Sequence, residues 1–230
     1  MIIYPALIGR FGNKLFQYAY ARAFAERYGH EVRTGNWEGC DLFGLPMHEV
    51  PPGLPTEDES TIARTNRDCM LHSYCQSQYC VSLYSRTQAR EWFTFLPEVL
   101  DLYPVEPYEI VAHRRVGDYV GSGYPVISYR AVHAAVEMYY PDRGDEVHVV
   151  SDDFEHAWMP DFLTMMRAPI LFRGNSSFSW WAAVLGHGIV YSPVIDGLVG
   201  GQEHDKVPYV RGNHPRLAEL PGVEELRLRE

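Results

Sequence analysis

The chain is poor in cysteine, in basic residues and in long apolar runs. Its four cysteines, Cys40, Cys69, Cys75 and Cys80, are too few across 230 residues for a disulfide framework and point to a reducing compartment. Basic residues number 20 against 30 acidic ones, a formal charge of −10, which excludes whole-molecule attraction to a nucleic-acid backbone. Any anion site has to be local. The most apolar stretch, 178–190, is interrupted by Gly186-His187-Gly188 and falls short of the roughly 20 apolar residues that a membrane span needs. The opening Met1-Ile2-Ile3-Tyr4-Pro5 carries no basic segment ahead of a long apolar one, so no secretory signal is read. No internal repeat and no low-complexity segment stands out.

With 46% hydrophobic and 22% charged residues, the composition is that of an ordinary globular chain. The length lies between one and two domains at about 150 residues each. Strand and helix signals alternate. The apolar run 2–7 meets a glycine turn at Gly9-Arg10-Phe11-Gly12, after which Phe16, Ala19, Tyr20, Ala23 and Phe24 recur at helical spacing until Gly29. Residues 31–34 read as a second strand, and the proline- and acid-rich stretch 46–60 as an exposed loop. A break at Tyr103-Pro104-Val105-Glu106-Pro107 divides the chain into 1–105 and 106–230. The second part begins with the apolar run 108–112, followed by a helix at 129–140 and strands at 146–150, 169–172 and 188–191, with a helix at 178–185 between the last two. Two alternating halves imply two α/β lobes.

In open α/β sheets ligands gather at the carboxyl ends of strands, so the polar residues that follow each apolar run are the candidate site. Gly9 to Asn13 joins strand to helix, where glycines admit a ligand to the backbone and free N–H groups face phosphate; the alternative is a tight turn capped by Asn13. His113 to Tyr119 supplies two guanidinium groups suited to a diphosphate, or a solvated loop whose arginines pair with acids such as Asp118. Ser151-Asp152-Asp153 offers carboxylates to a nucleoside, or a capping box through Asp152 and Glu155. Asn175-Ser176-Ser177 sets hydroxyls and amides ahead of an aromatic helix, as an anion cradle or as a plain cap with Trp180 and Trp181 in the core. These three residues also match a glycosylation sequon, a reading set aside for a chain without a signal segment. Cys69, His72, Cys75 and Cys80 have ligand types that suit zinc but no familiar zinc spacing, and buried thiols account for them better.

These segments fall in the order found in the α-1,2-fucosyltransferases of glycosyltransferase family 11, which the chain resembles, and more distantly in the protein O-fucosyltransferases. Gly9-Arg10-Phe11-Gly12-Asn13-Lys14-Leu15-Phe16-Gln17-Tyr18-Ala19 is similar to the family's G-x-L-G-N-Q-M-F-Q-Y-A. Ser73-Tyr74-Cys75-Gln76-Ser77 resembles G-Y-W-Q-S, His113 to Tyr119 resembles H-x-R-R-G-D-Y, Ser151-Asp152-Asp153 matches S-D-D, and Asn175 to Ala182 resembles N-S-S-F-S-W-W-G. The match runs from Met1 to about Pro193. Val116 stands where the family has its second arginine.

The resemblance implies two Rossmann-like lobes of the GT-B type with a reduced N-terminal lobe, 1–105 on the acceptor side and 106–230 binding the donor nucleotide. It implies an inverting transfer of fucose from GDP-fucose to a hydroxyl of a glycan or glycolipid. Arg115 and Asn13 would be the catalytic pair, Arg115 gripping the diphosphate and Asn13 approaching the phosphate or sugar. Gly9, Gly12, His113, Asp152, Asp153, Ser176, Ser177 and Phe178 would bind the donor. No metal and no cofactor is expected, because guanidinium and amide dipoles replace a divalent ion at the leaving diphosphate. A general base is left open among Glu38, Asp41, His72 and Asp118. The expected location is the cytoplasm, with peripheral attachment where a membrane carries the acceptor. The same fold acting on another GDP-sugar, and a non-catalytic sugar-nucleotide or glycan-binding protein, are the alternatives.

Overall fold

A computed structural model describes residues 1–121, 123–152 and 158–213. The chain divides near Leu102 and Tyr103 into two compact units.

The first unit is built on a parallel four-stranded sheet. Strands β1 (Ile2–Pro5), β2 (Glu31–Val32), β3 (Thr56–Glu57) and β4 (Cys69–Leu71) stand in the order β2-β1-β4-β3. Helix α1 (Phe11–Tyr28) packs on β1 and β2 and is apolar around much of its circumference, burying Leu15, Phe16, Ala19, Tyr20, Ala23 and Phe24. It stops at Gly29, whose φ of 70° is the left-handed geometry that glycine adopts at least cost. Helices α2 (Glu38–Phe43), α3 (Gln78–Val81), α4 (Arg86–Trp92) and α5 (Pro97–Leu102) complete the unit. The stretch 46–60, expected to be only a loop, contains the edge strand β3. Strand β4, which pairs with both β1 and β3, drew no strand reading because three residues carry too little periodicity. Cys69, Cys75 and Cys80 are free thiols buried in one apolar cluster with Ile3, Tyr20, Phe24 and Leu71, whereas His72 is exposed. Among the described residues, no three His, Cys, Asp or Glu side chains cluster as metal ligands would.

The second unit has a five-stranded sheet in the order β11-β9-β8-β5-β7, formed by β5 (Ile110–Arg115), β7 (His148–Asp152), β8 (Ile170–Phe172), β9 (Ile189–Pro193) and β11 (Tyr209–Arg211). Pairing is parallel except between β9 and β11. A separate parallel pair joins β6 (Val126–Ile127) to β10 (Glu203–His204). Ile110, Val111 and Ala112 in β5 are fully buried, as expected of a strand between two parallel neighbours. Helices α6 (Tyr129–Tyr139), α7 (Trp158–Arg167) and α8 (Ser177–Leu185) alternate with these strands. Residues 146–150, read as a strand, shift by two: Glu146 closes a short 3-10 turn and β7 begins at His148. No helix among the described residues is long and apolar enough to cross a membrane.

Strand order locates the switch points. In the first sheet β1 lies between β2 and the later strand β4; in the second β5 lies between β7 and β8. Crevices form outside the carboxyl ends of such strand pairs. Ala6–Gly9 and His72–Gln76 follow β1 and β4, and Val116–Tyr119 and Arg173–Ser176 follow β5 and β8, so the resembling motifs sit at these ends.

Candidate functional site

The second unit's switch point brings together His113, Arg115 and the 173–178 segment. Alternate side chains of a strand point to opposite faces, and the two arginines at the end of β5 accordingly part company. Arg114 donates to Glu203 at 2.9 Å and to the Ile127 carbonyl at 3.2 Å, tying β5 to the β6–β10 pair. Arg115 turns the other way. It is 7% exposed, donates to Asp118 Oδ1 at 2.7 Å and stands 5.2 Å above the Tyr119 ring. The Tyr119 hydroxyl in turn donates to the Asn175 carbonyl at 3.2 Å, which links the end of β5 to the start of α8. The Asp118 pairing weighed from the sequence is therefore present, and it holds the guanidinium on the site's side of the strand.

His113 lies fully inside. Its ring is 5.9 Å from that of Phe178, and neither ring nitrogen has a hydrogen-bond partner among the described residues. Burial, helped by the nearby Arg115 and Arg173 cations, pushes its pKa down to about 3. At neutral pH it is an uncharged ring with one nitrogen able to donate and one able to accept, and no proton donor of imidazolium type. Gly174 explains how the ring fits: a Cβ there would stand 2.6 Å from His113 Nδ1 and 2.9 Å from its carbonyl oxygen.

The sequence reading missed Arg173, which is fully buried at the end of β8. Its Nε donates to Ser192 Oγ and its Nη1 to the Gly174 carbonyl, both at 2.8 Å. Burial holds its pKa down to about 9, with Tyr209 opposing. A charged residue directly after the apolar run 169–172 was the available signal. Asn175 is fully buried and donates to the Pro125 carbonyl at 2.9 Å. Ser176 is the N-cap of α8 and accepts from the Ser179 amide at 3.3 Å, with Ser177 buried and Phe178 half-buried beyond it. Trp180 and Trp181 are core. The cap weighed from the sequence is therefore present, with the tryptophans behind it in the core.

Asp152 ends β7 in register with Arg115; only its backbone is described, and Asp153 lies outside the described residues. The capping box weighed for Asp152 and Glu155 falls outside the described residues.

In the first unit, Asn13 is not the helix cap. Arg10 takes that position, and Asn13 lies within the first turn, accepting from Gln76 Nε2 at 2.9 Å through Oδ1. Gly9 is exposed with φ 79°, and Gly12 is buried in α1. Of the four candidate bases, Asp118 is engaged by Arg115 and Glu38 by Lys14 at 2.8 Å, while Asp41 and His72 are exposed.

No protein-family model matches the chain, and no curated protein matches it. Among solved structures, two of NodZ alpha-1,6-fucosyltransferase are similar. The crystal soaked with GDP-fucose is 14% identical with a TM-score of 0.44, covering 91% of this chain and 98% of that one. The crystal grown with GDP is 13% identical with a TM-score of 0.47 and the same coverage. A likeness this distant transfers no residue role to this chain.

Proposed function

We propose that the protein is a GDP-sugar-dependent glycosyltransferase, with GDP-fucose as donor and a hydroxyl of a glycan or glycolipid as acceptor. The observation that carries this reading is the convergence of Arg115, His113 and the Asn175–Ser177 segment at one switch point. A buried arginine beside the amino end of a helix, in a chain of net charge −10, is a local site for a diphosphate.

In the proposed reaction the bond between the sugar's anomeric carbon and the diphosphate oxygen breaks, and the electron pair leaves with GDP. Positive charge develops on the sugar and negative charge on the leaving phosphate. Arg115 and the first-turn amides of α8 stabilise that negative charge while Asp118 and Tyr119 keep the guanidinium aimed. The acceptor oxygen bonds to the anomeric carbon from the opposite face, inverting it, and its proton passes to solvent water or to an oxygen of the departing diphosphate. His113 and Phe178 line the donor pocket; Asp152 and Asp153 contact the nucleoside. A contact of Asn13, Gly9 and Gly12 with a phosphate or sugar oxygen rests on the motif resemblance alone. Fucose and an α-1,2 linkage rest on the motif resemblance, and Val116, by removing one guanidinium, favours another GDP-sugar as the second reading. Four free thiols agree with action in a reducing compartment.

Calorimetric titration with GDP and GDP-fucose, followed by a GDP-release assay with and without glycan acceptors, tests the proposal. Binding of both is expected, with turnover falling about 10²- to 10³-fold in Arg115→Ala, the usual loss for one transition-state donor. Failure of every GDP species to bind, or wild-type turnover in folded Arg115→Ala, overturns it.

A further inference from the structure

We propose that the segment 200–204, which carries β10, is a splint for Arg115: it holds Tyr124 and Pro125 where they fix the guanidinium relative to the start of α8, and Gly200 is its positioning residue. The inference rests on the nucleotide-sugar reading above, in which Arg115 grips the diphosphate. All the residues concerned lie in the second unit.

Strands β6 and β10 stand outside the five-stranded sheet, and the reaction gives them no direct part. Their place beside the site comes from two consecutive residues. The Arg115 guanidinium stands 5.2 Å above the ring of Tyr119, which is 2% exposed, and the Tyr124 ring lies 4.8 Å from that of Tyr119 at an angle of 33°. An aromatic pair at this separation attracts beyond the area it buries, so Tyr124 backs the ring on which Arg115 rests. The Pro125 carbonyl accepts from Asn175 Nδ2 at 2.9 Å, one residue ahead of the α8 cap Ser176. A backbone carbonyl can only accept, so this bond sets the orientation of the Asn175 amide. Tyr124 thus touches the arginine side of the site and Pro125 the helix side.

Segment 200–204 holds both. The Gly201 amide donates to the Tyr124 carbonyl at 2.8 Å, the Val126 amide to the Gln202 carbonyl at 2.9 Å and the Ser128 amide to the His204 carbonyl at 3.1 Å, with Val126 and Ile127 in register with Glu203 and His204. Arg114 closes the link from β5 through Glu203 and the Ile127 carbonyl. Gly200 lets this pairing begin. A Cβ there would stand 1.8 Å from the Gly123 carbonyl oxygen and 2.4 Å from its carbon, backbone atoms that cannot swing aside as a side chain would. A side chain at 200 therefore pushes Gly123 away, and Tyr124 with it. Close-packed neighbours transmit such a shift, and a misplacement of about 1 Å in a positioned group costs up to about 10²-fold.

The test is a double-mutant cycle with Gly200→Ala and Arg115→Ala, read as GDP affinity by calorimetry, with thermal unfolding as the check on folding. Gly200→Ala is expected to weaken GDP about tenfold alone and less than twofold in the Arg115→Ala background, because the splint sets the distance from the guanidinium to α8 and that distance loses its meaning without the guanidinium. Wild-type affinity in folded Gly200→Ala, or independent losses that multiply, overturn the inference. If Gly200→Ala does not fold, Tyr124→Leu, which removes the ring behind Tyr119 and keeps the backbone pairing, takes its place in the cycle with the same expectations. An activity-free reading comes from NMR of arginine-labelled protein. The Arg115 Nε–H resonance, assigned by its loss in Arg115→Ala, should shift in Gly200→Ala and in Tyr124→Leu, and an unmoved resonance overturns the inference equally. If wild-type protein binds no GDP species, the nucleotide-sugar reading fails, and the NMR comparison still decides whether segment 200–204 holds Arg115.

Discussion

His113 makes the sharpest prediction, because stability and binding should move in opposite directions there. Its ring is 1% exposed with neither nitrogen hydrogen-bonded among the described residues, and its pKa falls from 6.5 to about 3. Between those two values the unfolded chain binds a proton at this residue and the native protein does not. Stability is therefore fully present above pH 6.5 and is lost as pH falls toward 3, at up to about 1.4 kcal/mol per pH unit. By about pH 4.5 the loss relative to neutral pH reaches roughly 3 kcal/mol from this side chain alone. Carboxylates also titrate in acid, so the measurement is a difference: urea unfolding followed by circular dichroism, wild type against His113→Leu, from pH 7 down to about 4.5. Leucine is of similar size and removes two unpartnered nitrogens, each of which costs about 1–3 kcal/mol when buried without a partner. The variant should be at least as stable as wild type at pH 7 and should open a lead of about 3 kcal/mol near pH 4.5. If His113 lines the donor pocket as proposed and donates or accepts a hydrogen bond there, the same variant loses GDP affinity by about tenfold or more. Parallel stability profiles for the two proteins would refute the argument, since they would mean that the native ring takes up a proton as readily as the unfolded one.

Gly174→Ala should lower stability by about 1–3 kcal/mol or more, because its Cβ would meet the backbone oxygen of His113, which has little freedom to move; a thermal midpoint equal to wild type contradicts this packing. Turnover should persist in excess EDTA, since Arg115 and helix amides are the proposed stabilisers of the leaving group; loss that magnesium restores would reassign that role to a metal. Asn175→Ala should leave the Pro125 carbonyl without its donor and cost about 1–3 kcal/mol, with slower GDP-sugar turnover through the displaced α8 terminus; unfolding in urea measures the first and GDP release the second, and wild-type values for both would show that Asn175 neither supports nor positions the segment.

Much of the architecture was legible because it is local. The run 2–7, the glycine turn and the helical spacing from Phe16 to Phe24 became β1 and α1, Ser176 became a cap, and Trp180 and Trp181 became core. The short strands β3, β4 and β10 were not legible, because they exist through pairing with distant strands and no strand pattern extends around them, whereas equally short β2 and β8 were read. Arg173 was hidden for a related reason: a fully buried guanidinium is tolerable through partners such as Ser192, 19 residues away in sequence.

The sequence by itself determined the alternation of strand and helix, the positions of the polar segments after the apolar runs, and the chemical types available there, since these follow from side-chain periodicity and composition. Tertiary structure alone decided the contacts of the two adjacent arginines, because strand order and pleat sent Arg114 to Glu203 and Arg115 to Tyr119. It alone brought Gln76 to Asn13 and Tyr119 to Asn175, contacts that depend on which strands became neighbours. Strand adjacency is set by burial of whole sheet faces, a property of the folded chain that no short window of residues contains.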